Sequence, residues 1–153
     1  MSSRITLLSI ALLLCPPVLA GSKEDALAAY QKFFVAFTTD NHDQIIELFA
    51  PDALFYGTRS SELVSTREGI RQYFREALTG RRGSVTATSF EQTALALSDS
   101  TVAISGKWQS ERTSEGKMVT AGPSRNTVVM HKRGDHWLIV QFHNSPTPKP
   151  APP

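Results

Sequence analysis

The hydrophobic period of the chain changes once. Up to about Leu78 apolar residues recur every three or four positions, and from Ser84 onward they alternate with polar ones. Ala26, Tyr30, Phe33 and Phe37, with Leu27 and Phe34 alongside, form one wide stripe that predicts a helix of about four turns. Ser22 with Asp25 in front of it resembles a capping box, the Asp standing in for a longer Glu. Asp40 or Asn41 is placed to cap a second, shorter helix carrying Ile45, Ile46, Leu48 and Phe49, which Pro51 stops. Ala53 to Tyr56 reads as a short strand, and Gly57 with the polar stretch to Ser61 turns the chain. Thr66 caps a third helix with Ile70, Tyr73, Phe74 and Leu78 inward and Gly80 at its end.

The alternating half predicts four long strands, 84–97, 100–112, 117–131 and 136–143. Turns are expected at Ser114-Glu115-Gly116 and Arg133-Gly134-Asp135, and a bulge at Gly106. Helices first and an antiparallel meander afterwards make an α+β layout. The Pro-rich run from Pro146 to Pro153 is an extended strap or a disordered tail.

Parity within the strands carries more than their existence. Val102, Ile104 and Trp108 share one face, and Thr101, Ser105 and Lys107 the other. In the last strand Leu138, Val140 and Phe142 line one face and Trp137 and Ile139 the opposite one, while Val128 and Met130 back onto Val129. Strands apolar on both faces need cover on both. Three helices cover one face, so the other is expected to meet a second copy, giving a homodimer or larger even oligomer through the sheet.

Composition changes this picture mainly at the N-terminus. Arg4 followed by the nearly continuous apolar run Ile5 to Leu14, with small-residue cleavage geometry at Val18-Leu19-Ala20, reads as a signal peptide covering residues 1–20. The mature protein is then expected to be exported, without cysteine and without a membrane anchor. A lipid anchor at Cys15 is the weaker alternative, since Leu14 and Pro16 flank that cysteine. What remains, 21–148 as one domain and 149–153 as a Pro-rich tail, suits a single core. A net charge of +2 is too small for a nucleic-acid footprint, and the basic pair Arg81-Arg82 reads as a solvated turn. The histidines at 42, 131, 136 and 143 include no pair at metal-ligand spacing, and no Gly-rich phosphate loop or dinucleotide fingerprint is present. Neither a metal nor a cofactor is expected.

The run from Pro123 to Ser145, with His131-Lys132-Arg133-Gly134 at a turn, Trp137 opening the last strand and Phe142-His143-Asn144-Ser145 before Pro146, resembles the association domain of calcium/calmodulin-dependent protein kinase II and its free-standing bacterial relatives. These lie within the nuclear transport factor 2-like, or SnoaL-like, superfamily. Phe55 to Gly57 and Arg67-Glu68-Gly69-Ile70 with Tyr73-Phe74 extend the likeness, which spans about residues 23–148. The resemblance implies a conical α+β fold: three N-terminal helices on a curved, mostly antiparallel sheet that encloses a cavity. It also implies dimers or larger rings, but no particular reaction. The kinase pocket is lined by arginines, and the matching positions here hold Trp108, Val128 and Asn144. An aromatic wall with a carboxamide suits a small neutral or aromatic ligand better than an anion-binding pocket.

Four residues are therefore candidate ligand contacts. Trp108 is either core or cavity wall. Tyr56 is placed to donate to a ligand carbonyl. Asn126 and Asn144 are polar on otherwise apolar strand faces and need a partner. Arg125, Gln141 and His143 are assigned to the second face or an interface, although a bulge in a curved sheet reverses such parity. No catalytic base is identified: Asp40 and His42 read as caps and Asp52 as the end of a turn. Three functions remain open: an exported, self-associating small-molecule-binding domain; a cofactor-free lyase or isomerase with Tyr56 as polarising donor; and a purely structural oligomerisation module.

Overall fold

A computed structural model describes residues 21–79, 85–114 and 116–149. The expected signal peptide at 1–20, the expected helix stop at Gly80 and the expected turn at Arg81-Arg82 lie outside these residues. In chain order the elements are α1 (Ser22–Thr38), α2 (His42–Glu47), β1 (Phe49–Tyr56), α3 (Arg67–Leu78), β2 (Val85–Ser98), β3 (Thr101–Ser114), β4 (Lys117–Arg133) and β5 (His136–Pro146). The three helices pack on one side of a five-stranded sheet of order β1-β5-β4-β3-β2, antiparallel throughout except for the β1–β5 pair. This is the expected α+β architecture. No helix among the described residues is long and apolar enough to cross a membrane.

Local chemistry accounts for most element ends. Asn41 caps α2 by accepting from the Gln44 N–H at 3.0 Å, and Thr66 caps α3 by accepting from the Gly69 N–H at 3.1 Å. The expected capping box of α1 does not form: Gly21 is the N-cap and Ser22 is already helical. Helix α2 is shorter than its apolar spacing suggests, because Leu48 closes it and Phe49 already begins β1. Pro51 therefore sits inside a strand rather than ending a helix. That position is tolerated because β1 is an edge strand whose pairing with β5 slips between Phe49 and Leu54.

Three irregularities set which side chains face the helices. The first lies on β2 between Phe90 and Thr93, where Glu91 takes a positive φ of 54°. It stands opposite Gly106 rather than at it. Gly106 itself stays in register with Asn126, and the Gln92 amide fills the space its missing Cβ leaves and donates to the Lys107 carbonyl at 3.0 Å. The second lies in β4 between Ala121 and Ser124, where Gly122 takes φ 116° against the Trp108 and Gln109 backbone, 3.2 Å from where a Cβ would stand. The third inserts Val140 into β5, since Met130 pairs with Ile139 and the adjacent Val129 with Gln141.

This last bulge corrects the expected parity of β5. Trp137 and Ile139 face the helices before it, and Phe142 and Asn144 face the same way after it, so all four are buried on one side. Leu138, Val140 and Gln141 are only half-buried, and His143 is exposed. The core is thus continuous from Tyr30, Phe33 and Phe37 of α1 through Phe49 and Phe55 to Ile104, Met130, Ile139 and Phe142. The opposite face has no covering element among the described residues. There Leu95, Ala103, Val129, Gln141 and Leu54 align in one cross-strand row, with Thr93, Ser105, Thr127, His143 and Tyr56 in the next.

Candidate functional site

Between α1, α3 and the inner sheet face lies a pocket of ≈ 710 Å³, within the range of small-molecule sites. Its walls are aromatic: Phe33 and Phe37 from α1, Phe55 from β1, Phe74 from α3, Trp108 from β3 and Phe142 from β5. These rings form one contact network, with Phe33 5.7 Å from Phe74 and 5.4 Å from Phe142, and Phe37 meeting Trp108 edge-on at 5.1 Å. Helical spacing on α1 and inward parity on the strands place them there. The pocket is the part of the core that the rings do not fill.

Trp108 and Asn144 meet on its wall. The indole N–H of Trp108 donates to Oδ1 of Asn144 at 2.9 Å, and both residues are buried. An indole nitrogen only donates, so this bond fixes the carboxamide orientation and leaves Asn144 Nδ2 as the donor available to the pocket that the residue lines. Asn126 is placed elsewhere. Its Nδ2 donates to the phenolic oxygen of Tyr30 at 3.0 Å in the buried interior, and it does not line the pocket. Burial pushes the Tyr30 phenol well above its ordinary value, with the Asn126 hydrogen bond opposing the rise. Val128, at the third position matching the kinase arginines, is fully buried in the core and is also absent from the pocket lining.

The expectation for Tyr56 is overturned. Phe55 and Tyr56 are neighbours on β1, so a strand that turns Phe55 into the pocket must turn Tyr56 out. Tyr56 packs edge-on against His143 on the outer face, 6.0 Å between ring centroids. Arg125, exposed, and Gln141, half-buried, stand on that outer face as well.

The tyrosine that reaches the pocket is Tyr73 of α3. A Cβ on Gly57 would lie 2.2 Å from its ring, so that glycine is what lets the ring settle against the end of β1. The Tyr73 hydroxyl lies 3.4 Å from Thr58 Oγ1, and the Arg59 guanidinium stands over the ring at 5.8 Å. The C-terminal strap closes the same side. Thr147 donates its backbone N–H to the Pro123 carbonyl at 3.0 Å, and Pro146 through Lys149 join the lining. Sequence reasoning assigned Tyr73 to the helix core and left the strap undetermined; Gly57 beside the first strand was the one local signal for the Tyr73 seat.

Among the described residues the lining holds no Asp, Glu or His. Asp40, at a positive φ of 53°, lies 3.2 Å from His42 Nε2 at the α1–α2 junction, outside the pocket. Asp52 is exposed and paired with Arg133 at 2.8 Å, and that guanidinium holds its carboxyl below the ordinary range. Among the described residues, therefore, no carboxylate or imidazole is placed on the pocket wall to act as a base.

Residues 26–149 match the family model described as SnoaL-like domain. A Xanthomonas campestris structure described as a calcium/calmodulin-dependent protein kinase II association domain is 28% identical, with a TM-score of 0.73 over 82% of this chain and 88% of that one. The hub homology domain of the same kinase from Chlamydomonas reinhardtii is 20% identical, with a TM-score of 0.72 over 84% of this chain and 100% of that one. A Streptomyces avermitilis protein described as an NTF2-like dehydratase is 12% identical, with a TM-score of 0.72 over 82% of this chain and 96% of that one, a likeness of fold alone. No curated protein matches the chain.

Proposed function

The chain belongs to the SnoaL-like domain family, and from that premise we propose that it is an exported, self-associating domain whose pocket holds a small molecule with an aromatic or apolar body. The likeness to association and hub domains supports self-association or ligand binding in general terms. The observation that carries the specific reading is the division of labour across one sheet. The inner face bears a ≈ 710 Å³ pocket walled by aromatic rings, and the outer face bears the row Leu95, Ala103, Val129, Gln141 and Leu54, apolar but for Gln141 and uncovered among the described residues. Water in a pocket walled by aromatic rings finds few hydrogen-bond partners, so an apolar body gains by displacing it. An apolar row on a sheet likewise gains by meeting its own copy. The lyase or isomerase reading is less favoured, since Tyr56 faces the other side of the sheet and the described lining holds no carboxylate or imidazole.

Native mass spectrometry of the protein purified from its own source tests the whole reading. The expected result is an even-numbered oligomer of subunits that begin at Gly21, carrying a discrete added mass released on denaturation. Bare monomers would overturn it. Subunits retaining residues 1–20 would overturn export alone.

A further inference from the structure

The pocket has a polarity gradient that narrows the class of ligand, and the argument rests on the binding reading above. Its deep wall is made of buried rings and the Trp108–Asn144 pair, whereas Thr58, Arg59 and Lys149 at its rim are exposed. Among the described residues every charged side chain that lines it is a cation, Arg59 from the loop after β1 and Lys149 from the C-terminal strap. Neither is in an ion pair with a described residue, unlike Arg71, Lys107 and Arg133, each held by a carboxylate. Arg59 lays its guanidinium over the Tyr73 ring, 5.8 Å from the centroid. At this distance the ring attracts the guanidinium charge, and no Arg59 N–H is bonded to a described residue, so its donors are open to a carboxylate fork. The strap that brings Lys149 to the rim is held in place by the Thr147 to Pro123 hydrogen bond.

We propose that the pocket selects an amphipathic organic anion, with an aromatic or alkyl body among the Phe33, Phe74, Trp108 and Phe142 rings and a carboxylate head between Arg59 and Lys149 at the rim. The aromatic body expected from the sequence is kept; the head group is charged rather than neutral. Opposite charge at a partly solvated rim adds modestly to affinity and is weakened by salt, so the apolar body anchors and the head selects.

Isothermal titration of the full mature protein with 5-phenylpentanoate and with 5-phenylpentanamide tests the assignment, since the pair share a body and differ in charge. At low ionic strength the carboxylate should bind about fivefold to tenfold more tightly than the amide, with the gap narrowing as salt is added. The doubly substituted protein R59Q/K149Q, altered only at exposed positions, should lose that gap, whatever change it makes to the affinity common to both probes. Equal or tighter binding of the amide by the unaltered protein overturns the charge selection and leaves the pocket reading intact. A carboxylate preference that survives R59Q/K149Q overturns the assignment to these two residues. Binding of neither probe removes the pocket reading, and this proposal with it.

Discussion

Two asparagines on neighbouring strands show how a single residue type acquires different work from its surroundings. Asn126 and Asn144 pair across β4 and β5, both face inward, and both are buried. The first meets the Tyr30 hydroxyl from α1, and the second meets the Trp108 indole beside the pocket. Their sequence context, polar on an apolar face, flagged both; nothing local to either strand told which partner it would find. The consequence for Tyr30 is testable. Tyr30→Phe leaves the Asn126 amide hydrogens buried without an acceptor, and should cost about 1–3 kcal/mol in chemical denaturation. The pH dependence follows from the raised phenol pKa. Above the ordinary tyrosine value of 10.0 the unfolded chain releases the Tyr30 proton and the folded chain keeps it, so stability falls as pH rises. Below that value both states hold the proton and the contribution is complete. Denaturation midpoints measured from pH 8 to 11 should therefore fall less steeply for Tyr30→Phe than for the unaltered protein; equal slopes would mean that Tyr30 ionises freely in the folded state. Trp108 is a poorer probe of the pocket than its position suggests. Its ring also packs on Phe33, Phe34 and Phe37, so Trp108→Ala should cost about 3–5 kcal/mol whatever binds there.

At the scale of elements, periodicity made the three helices, the long strands and the α+β order legible, because the 3.6 and 2.0 repeats are imposed by the core that each element faces. Two helix starts were also legible, since Asn41 and Thr66 carry the side-chain oxygens that the first turn needs. What the pattern did not carry was the extra residue in a strand. Val140 is apolar like Leu138 and Ile139 before it, so the bulge it makes leaves no mark in a continuous apolar run, yet it decides that Phe142 rather than Gln141 faces the pocket. The same holds for the end of β1, where one step of parity exchanges Phe55 for Tyr56 at the pocket wall. Gly57 offers the sharpest test of this local geometry. A methyl at Gly57 would meet the Tyr73 ring at 2.2 Å, forcing the ring out of its seat and away from Thr58 and Arg59. Gly57→Ala should destabilise the fold by about 1–3 kcal/mol, as overpacking does, and weaken binding of an aryl carboxylate in the same preparation. Unchanged melting and unchanged binding together would show that the Tyr73 ring shapes neither the core nor the pocket rim.

For the whole molecule, the sheet separates two properties that the sequence suggested together. The expectation of a second copy rested on strands apolar on both faces, and the bulge at Val140 moves part of that apolar surface inward. The outer face that remains is mixed: Leu95, Val129 and Leu54 lie beside Thr127, His143 and Tyr56, with Arg125 and Lys107 toward one end. Val129 stands at the centre of the apolar row, on β4, flanked by Ala103 and Gln141. A carboxylate there would be brought close to its own copy in a two-fold contact, where like charges oppose each other with little water between them. Val129→Glu should therefore convert the proposed even-numbered oligomer to monomers in sedimentation velocity. The aromatic walls and both rim cations belong to a single subunit, so these monomers should bind an aryl carboxylate with unchanged stoichiometry per subunit. Oligomers that survive Val129→Glu would place the contact elsewhere on the surface. Monomers that no longer bind, although still folded by circular dichroism, would instead mean that assembly holds the pocket open, making the two faces of the sheet parts of one device.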